Sequence, residues 1–229
     1  MALILSIDAA TASATVCLGD ENQLLASQSN DEQKDHGSFL QLAIQQVLSS
    51  ANQKIKNIDA VAVSAGPGSY TGLRVGLASA KGICYALNKP LILLNTLQIL
   101  AADAIKEVGN PTALYCPMID ARRMEIFSAL YSYELNEVMH TKTFILTEND
   151  FTRQLQKTAK QIIFTGSGVE KWQKVAPKED FIFLQKTTPS PHALNSLAQQ
   201  DFHQQRFADL AYSEPLYFKP FYTTAKIIP

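Results

Sequence analysis

The sequence predicts a mixed α/β protein built as two similar lobes, and three observations carry that expectation. An Ile-Asp-Ala triplet closes a predicted strand twice, at Ile7-Asp8-Ala9 and again at Ile119-Asp120-Ala121, about half the chain apart. Each triplet is followed further along by an apolar stretch that enters a Gly-x-Gly turn and then a helix: "IDAVAVSAGPGSYTG" (58–72) and "QIIFTGSGVEKW" (161–172). Strand and helix periodicities alternate along the chain. A strand–glycine–helix junction alone means little, but the same junctions twice in the same order point to a duplicated unit. The expected division is residues 1–108 and 109–229, with the terminal segment packing back on the first lobe.

The elements follow in order. Residues 3–18, "LILSIDAATASATVCL", read as a strand, a tight polar turn and a second strand. Residues 36–51 place Phe39, Leu40, Ala43, Ile44, Val47, Leu48 and Ala51 on one helical face. A helix over 71–87 follows the glycine turn. The strand–turn–strand shape returns at 113–132, "ALYCPMIDARRMEIFSALYS". Thr147-Glu148-Asn149-Asp150 reads as a capping box opening a helix that carries Phe151 and Leu155. Ser190-Pro191 reads as an N-cap with proline at the first helical position. The end, "SEPLYFKPFYTTAKIIP", is rich in proline and aromatics and is expected to lie extended on the body.

Composition narrows the function classes. With 46% hydrophobic and 18% charged residues and a net charge of −1, the 229-residue chain is ordinary for a globular protein. A near-neutral chain has no general attraction to polyanions, so nucleic acid is not expected to bind it alone. The longest apolar runs, "MALILSI" and "PLILLN", are far below the ~20 residues of a membrane span, and the start lacks the basic region of a signal peptide. Cys17, Cys84 and Cys116 are odd in number and widely spaced, which argues for a reducing compartment, the cytoplasm, and against a disulfide frame or zinc site.

The stretch "SAGPGSYTGLRVGLASAKG" (64–82) asks for a choice between phosphate and protein. Gly68 and Gly72 are too close for the Walker A pattern, with Leu73-Arg74 where Lys-Ser/Thr belongs. Gly66, Gly68 and Gly72 leave one residue too many for Gly-x-Gly-x-x-Gly. Pro67 also removes a backbone donor that a phosphate cradle would use. The helix start could still favour an anion. Beyond it, Gly72, Gly76 and Ala80 form one small-residue ridge and Ala78, Gly82 and Ala86 a second. Mid-helix glycine costs roughly 1 kcal/mol against alanine, so two of them point to close packing, by this chain's own strand or helix or by a partner's helix.

With these residues assembled, the chain resembles the bacterial TsaB (YeaZ) family, a glycoprotease-like (M22) branch of the actin/Hsp70-like superfamily. "AVSAGPGSYTGLRVGLASAKGICYAL" is similar nearly residue for residue to the family's hallmark. "ILSIDAATASATVCL", "NTLQILA", "MIDARRMEIFSALY", "GSGVEKW" and "EPLYFKP" follow in the family's order. The resemblance implies two tandem ribonuclease-H-like (actin-like ATPase) lobes, each a mixed sheet flanked by helices. It also implies a non-catalytic role in making threonylcarbamoyl-adenosine beside the tRNA anticodon. The catalyst would be the paralogue TsaD, with the small ATPase TsaE recruited, a homodimer when isolated, and tRNA met only through the complex.

No cofactor is required on this reading, with ATP or ADP as the alternative ligand. The family's relatives hold hydrated Mg²⁺ near the aspartate after the first strand, here Asp8, with Thr11 beside it. The other reading of Asp8 is an acceptor within its own turn. Gly166 and Gly168 would be a remnant of an adenosine-binding turn. The catalytic paralogue binds metal through His-x-x-x-His. Here His36, His140, His192 and His203 include no such pair, so neither a metal site nor peptidase chemistry is expected, and His36 reads as a cap or surface residue. Asp120, Arg122 and Glu125 read as an ion-pair network. The expected partner surface comprises Phe39 and Ile44 on the first helix and Tyr70, Gly72, Arg74, Gly76 and Ala80 on the second. The competing function is a stand-alone ATPase-like enzyme.

Overall fold

A computed structural model describes residues 1–31, 36–158, 161–177 and 181–219. The first sheet comprises β1 (Ile4–Asp8), β2 (Ala14–Gly19), β3 (Leu24–Asn30), β4 (Ala60–Gly66) and β5 (Leu91–Asn95), in the order β3-β2-β1-β4-β5. The second comprises β6 (Leu114–Asp120), β7 (Glu125–Tyr131), β8 (Glu137–Ile145), β9 (Ile162–Thr165) and β10 (Ile182–Phe183), in the order β10-β9-β6-β7-β8. Read from its other edge, the second sheet repeats the first strand for strand. In both, the opening strand pairs antiparallel with its hairpin partner and parallel with the strand before the Gly-x-Gly turn.

Burial explains the strand patterns. β1 and β4 are buried at every residue, which is why they read as continuous small and apolar runs rather than alternating ones. β3 and β8 are edge strands and alternate between half-buried and exposed positions over much of their length.

Six α-helices complete the described chain: α1 (His36–Ser50), α2 (Tyr70–Leu87), α3 (Thr96–Val108), α4 (Asp150–Gln156), α5 (Val169–Gln173) and α6 (Pro191–His203). Their ends are chemically marked. The Ser69 hydroxyl accepts the Gly72 N–H at 3.3 Å to open α2, and Asn95 accepts the Leu97 N–H at 2.9 Å to open α3. Ser190 accepts the Ala193 N–H at 3.1 Å, and Pro191 follows, as expected for α6. The expected capping box at 147–150 does not form. The chain pairs with the β6–β7 turn through Leu146 N–H to Met124 O, turns back at Glu148, and starts α4 only at Asp150.

The lobes exchange helices. α1 and α2 cover one face of the first sheet, where Leu40, Val47, Leu77 and Cys84 meet Ile7 and Val63. The other face is covered by α6, whose Leu194 and Leu197 pack on Ile4, Cys17 and Ile92. Reciprocally, α3 lays Leu97, Leu100 and Ala104 on Tyr115 and Ile163 of the second sheet. The buried Asp103 carboxylate joins the two crossing helices, accepting the Ser190 N–H at 2.7 Å and pairing with Lys186 Nζ at 3.0 Å. The remaining face of the second sheet holds an aromatic core in which Phe151 lies 4.7 Å from both Phe144 and Trp172, ring centre to ring centre.

After α6 the chain returns across the first lobe. Ala208 N–H donates to Leu91 O at 2.8 Å on the free edge of β5, and Leu216 N–H donates to Ala65 O at 2.7 Å. The segment then touches the second lobe, where Phe218 O accepts from Thr143 Oγ1 at 2.9 Å and Lys219 pairs with Glu125 at 2.7 Å. The last ten residues of the terminal segment, 220–229, lie outside the described residues.

Candidate functional site

The strand ends that carry the repeated aspartates occupy equivalent places and are built differently. In the first lobe Asp8 is 1% exposed. Its Oδ1 accepts the Ser64 hydroxyl and, at 3.0 Å, the Ala10 N–H, while Thr11 donates to Ser13 O at 3.2 Å. The Ala10 and Ser13 bonds close the turn on itself, and the Ser64 bond ties Asp8 to β4. The glycine loop closes over them: Ser69 N–H donates to Ala10 O at 2.7 Å. A side chain at Gly68 would collide with the Ala10 carbonyl, and one at Gly72 with the Ala9 carbonyl. The glycines let two backbone segments touch, which is the close approach their lack of Cβ permits.

Gly166 and Gly168 serve the same purpose in the second lobe. Gly166 has φ +98° and donates its N–H to Lys186 O at 2.8 Å, while a side chain there would strike the Met118 carbonyl. Gly168 N–H donates to Met118 O at 3.1 Å. Above them the strand end stays open. Asp120 is 41% exposed and is paired with Lys171, and the pair sits beside Glu125.

The expected partner ridge is corrected by the packing. Gly72, Gly76 and Ala80 face this chain's own sheet: Ala80 is fully buried, and a methyl at Gly76 would sit 3.5 Å from Val63 Cγ2 in ordinary contact. Ile44, 4% exposed, belongs to the same core. The outer face of α2 carries the second ridge instead. Ala78, Gly82 and Ala86 are exposed, and nothing lies within 4 Å of a Cβ built at Gly82. Tyr85 beside them is 83% exposed, and Leu42 on α1 is 60% exposed. Between the two helices runs an open groove of about 630 Å³, lined among others by Gln41, Gln45, Leu48, Ile55 and Ile83.

Of the other predicted partner residues, Phe39 is half-buried against the core, while Tyr70 and Arg74 take part in an aromatic cluster. The Arg74 guanidinium lies 4.0 Å from the Tyr70 ring centre, and its Nε–H donates to the Tyr217 hydroxyl at 2.9 Å. That bond raises the Arg74 pKa above its ordinary value. Tyr217 closes the cluster with its ring centre 5.1 Å from that of Tyr70. Sequence reasoning missed Leu42, Tyr85 and Tyr217. Leu42 and Tyr85 were available as apolar residues off the buried stripe, whereas Tyr217 lies too far along the chain for any local pattern to find.

Among the described residues no group of three or more His, Cys, Asp or Glu side chains could hold a metal ion. His140 Nδ1 lies 2.8 Å from Glu137, and His203 Nε2 lies 3.4 Å from Glu21. The side chain of His36 lies outside the described residues.

Comparison with known proteins places this arrangement. The family model for TsaD, tRNA N6-adenosine threonylcarbamoyltransferase, matches residues 23–215. The chain belongs to this family. Within it, the chain falls in the TsaB (YeaZ) branch. It is 24% identical over 220 residues to the Escherichia coli tRNA threonylcarbamoyladenosine biosynthesis protein TsaB, an alignment covering 94% of each chain. It is 28% identical to the Bacillus subtilis TsaB over 71% of this chain and 70% of that one. YeaZ from Pseudomonas aeruginosa has the same fold, with a TM-score of 0.82 at 23% identity over 95% of this chain and all of that one. The two-lobed α/β architecture is thus that of YeaZ. No described helix is long and apolar enough to cross a membrane.

Proposed function

We propose that this TsaB-family chain takes part in tRNA threonylcarbamoyladenosine biosynthesis as a non-catalytic subunit, the partner and activator of a TsaD-type transferase. The observation that carries the reading is the outer face of α1 and α2. α1 contains no Asp, Glu, Lys or Arg, and α2 carries only Arg74 and Lys81. Lys81 is spent on the carbonyls of Ala211 and Ser213, both at 3.1 Å. What remains outward is a sparsely charged surface, bordered by the exposed Arg74 and by Lys54 in the groove, with exposed Leu42 and Tyr85 around a strip of small residues. Depletion of charge around aromatic anchors is the mark of an interface core. Bare Cα positions at Ala78, Gly82 and Ala86 let another helix axis come close.

The occupant we infer is the transferase paralogue, because this chain itself matches the transferase family model and shares its fold unit. Two chains with the same helix pair meet through a four-helix contact related by a two-fold, and a second copy of this chain takes the same place when the transferase is absent. The TsaE ATPase joins that assembly, tRNA is met through it, and the compartment is the cytoplasm.

The chemistry of the two strand ends supports an accessory role. Asp8 is used as a structural acceptor, the glycine loop is packed on the Ala9–Ala10 carbonyls, and the N–H groups of Ser69 and Gly72 are engaged. The reading requires no bound nucleotide or metal. The test is co-purification with the transferase followed by a tRNA modification assay with each subunit omitted in turn. Modification that needs this chain, with no turnover by the chain alone, is the expected result. Full modification without it defeats the reading.

A further inference from the structure

Two buried side-chain acceptors on α6 lack a donor. Asn195 and Gln199 are 8% and 6% exposed, and neither Asn195 Oδ1 nor Gln199 Oε1 has a hydrogen-bond partner among the described residues. Their NH2 groups are engaged. Asn195 Nδ2 donates to Asp20 O at 3.1 Å, and Gln199 Nε2 donates to Ala2 O at 3.1 Å and to Gly19 O at 3.2 Å. Those bonds fix which end of each amide is the oxygen and turn it away from the three carbonyls. A buried acceptor without a donor is costly, and native proteins rarely leave one. Here two stand one helical turn apart, and both residues line an open depression of about 230 Å³.

The depression is polarised along α6. Its basic side chains, Lys106 and His192, are exposed and lie by the start of the helix. His192 is in the first turn, and Lys106 is one turn beyond Asp103, whose carboxylate accepts the Ser190 N–H at 2.7 Å. The carboxylate in the lining, Glu21, lies at the other end and is already matched, 3.4 Å from His203 Nε2 and 3.8 Å from the terminal ammonium. From His192 to Gln199 the helix rises about 10 Å. One end therefore attracts an anion, and the two amide oxygens beyond it call for N–H donors.

We propose that this depression binds a short peptide carboxylate. The carboxylate lies against Lys106 and His192, and successive backbone N–H groups reach Asn195 Oδ1 and Gln199 Oε1. An extended chain advances about 3.4 Å per residue, so an acylated dipeptide matches the helix segment in length. A carboxylate held by basic groups, with backbone N–H groups paired alongside, is an established way of recognising a chain end. The ligand chemistry is the same for a free dipeptide and for the carboxyl terminus of another chain. α6 covers the face of the first sheet opposite α1 and α2, so the site is separate from the surface assigned to the transferase.

The experiment is titration calorimetry of the full chain with N-acetylglycylglycine. Two analogues accompany it: the sarcosine version, which has no N–H, and the carboxyl-terminal amide, which has no carboxylate. Wild type should bind the first probe saturably and each analogue at least tenfold more weakly. Lys106→Ala/His192→Ala removes two exposed side chains, so it should melt like wild type and bind the first probe at least tenfold more weakly. Unacetylated glycylglycine distinguishes the sources: tighter binding than the acetylated probe marks a free dipeptide, and weaker binding marks a chain terminus. Absence of saturable binding by wild type overturns the proposal. So does binding of either analogue within twofold of the first probe, the sarcosine result reducing the site to a simple anion contact. Wild-type affinity in the double variant overturns it as well. The analogue comparison uses wild type alone, so it decides the matter even for a variant that folds poorly.

Discussion

Asp8 and Asp120 end equivalent strands of a duplicated fold, and one is sealed while the other is open. Around Asp8 the α2 glycine loop lies on the turn, its glycines removing the side chains that would hold the two backbones apart. Around Asp120 the equivalent helix is the short α5, which sends Lys171 to the carboxylate and leaves the turn in solvent. The same topology thus gives a structural carboxylate in one lobe and a charged surface in the other. In the first lobe the glycine loop packs on the turn after the first strand, and in the second lobe Gly166 and Gly168 pack on Met118 of the first strand itself.

The largest way to break this comparison is Gly72→Leu. The side chain would meet the Ala9 carbonyl, which is backbone and cannot swing aside, so a loss of about 3 kcal/mol or more is expected, read as collapse of the thermal transition. Gly76→Ala, one turn along, should be harmless, because its methyl finds only ordinary contacts. Equal effects at the two positions would mean that the loop is not seated on the turn.

Next in size is the pair of aspartates. Asp8→Ala leaves the Ser64 hydroxyl and Ala10 N–H buried without their acceptor, a cost of about 1–3 kcal/mol, or several degrees in melting temperature. Asp120→Ala removes an exposed ion pair and the acceptor of the Arg122 N–H, both at a solvent-exposed strand end, and should cost less than Asp8→Ala. A larger effect at Asp120 would reverse the assignment of sealed and open ends.

The last effect is absent at neutral pH and develops only under alkali. Burial pushes the Cys17 and Cys116 thiols up to about 12 and Cys84 up to about 11, above the ordinary thiol range. Their folded pKa values are raised, so their contribution is complete below the unfolded thiol pKa and is lost as pH climbs toward the folded values. Stability should fall from about pH 9 upward, by about 1.4 kcal/mol per pH unit for each fully buried thiol. Cys17→Ala/Cys116→Ala should flatten that slope in melting scans between pH 8 and 11.

Much of this was legible in the sequence, for physical reasons. β1 and β4 are buried along their whole length and read as runs of small and apolar residues without alternation, and the repeated Ile-Asp-Ala exposed the duplication. The direction of α2 was misjudged because both its ridges consist of glycine and alanine. The deciding stripe was present in Leu73, Leu77, Ala80 and Cys84, spaced to turn Gly76 inward and Gly82 outward. The exchange of α3 and α6 between sheets was not legible, since an amphipathic stripe does not say which sheet it will cover. Nor was the left-handed run at Arg122–Met124, which contains none of the residues that usually mark positive φ.

The central claim is that the outward ridge of α2, not the inward one, receives a helix of the transferase. Titration calorimetry of the transferase with Gly82→Leu tests it most directly. A Cβ at Gly82 has open space around it, so the variant should melt no lower than wild type. Binding should nonetheless weaken at least tenfold, as a bulky side chain holds the partner helix away. Wild-type affinity from a normally folded Gly82→Leu chain would contradict the account.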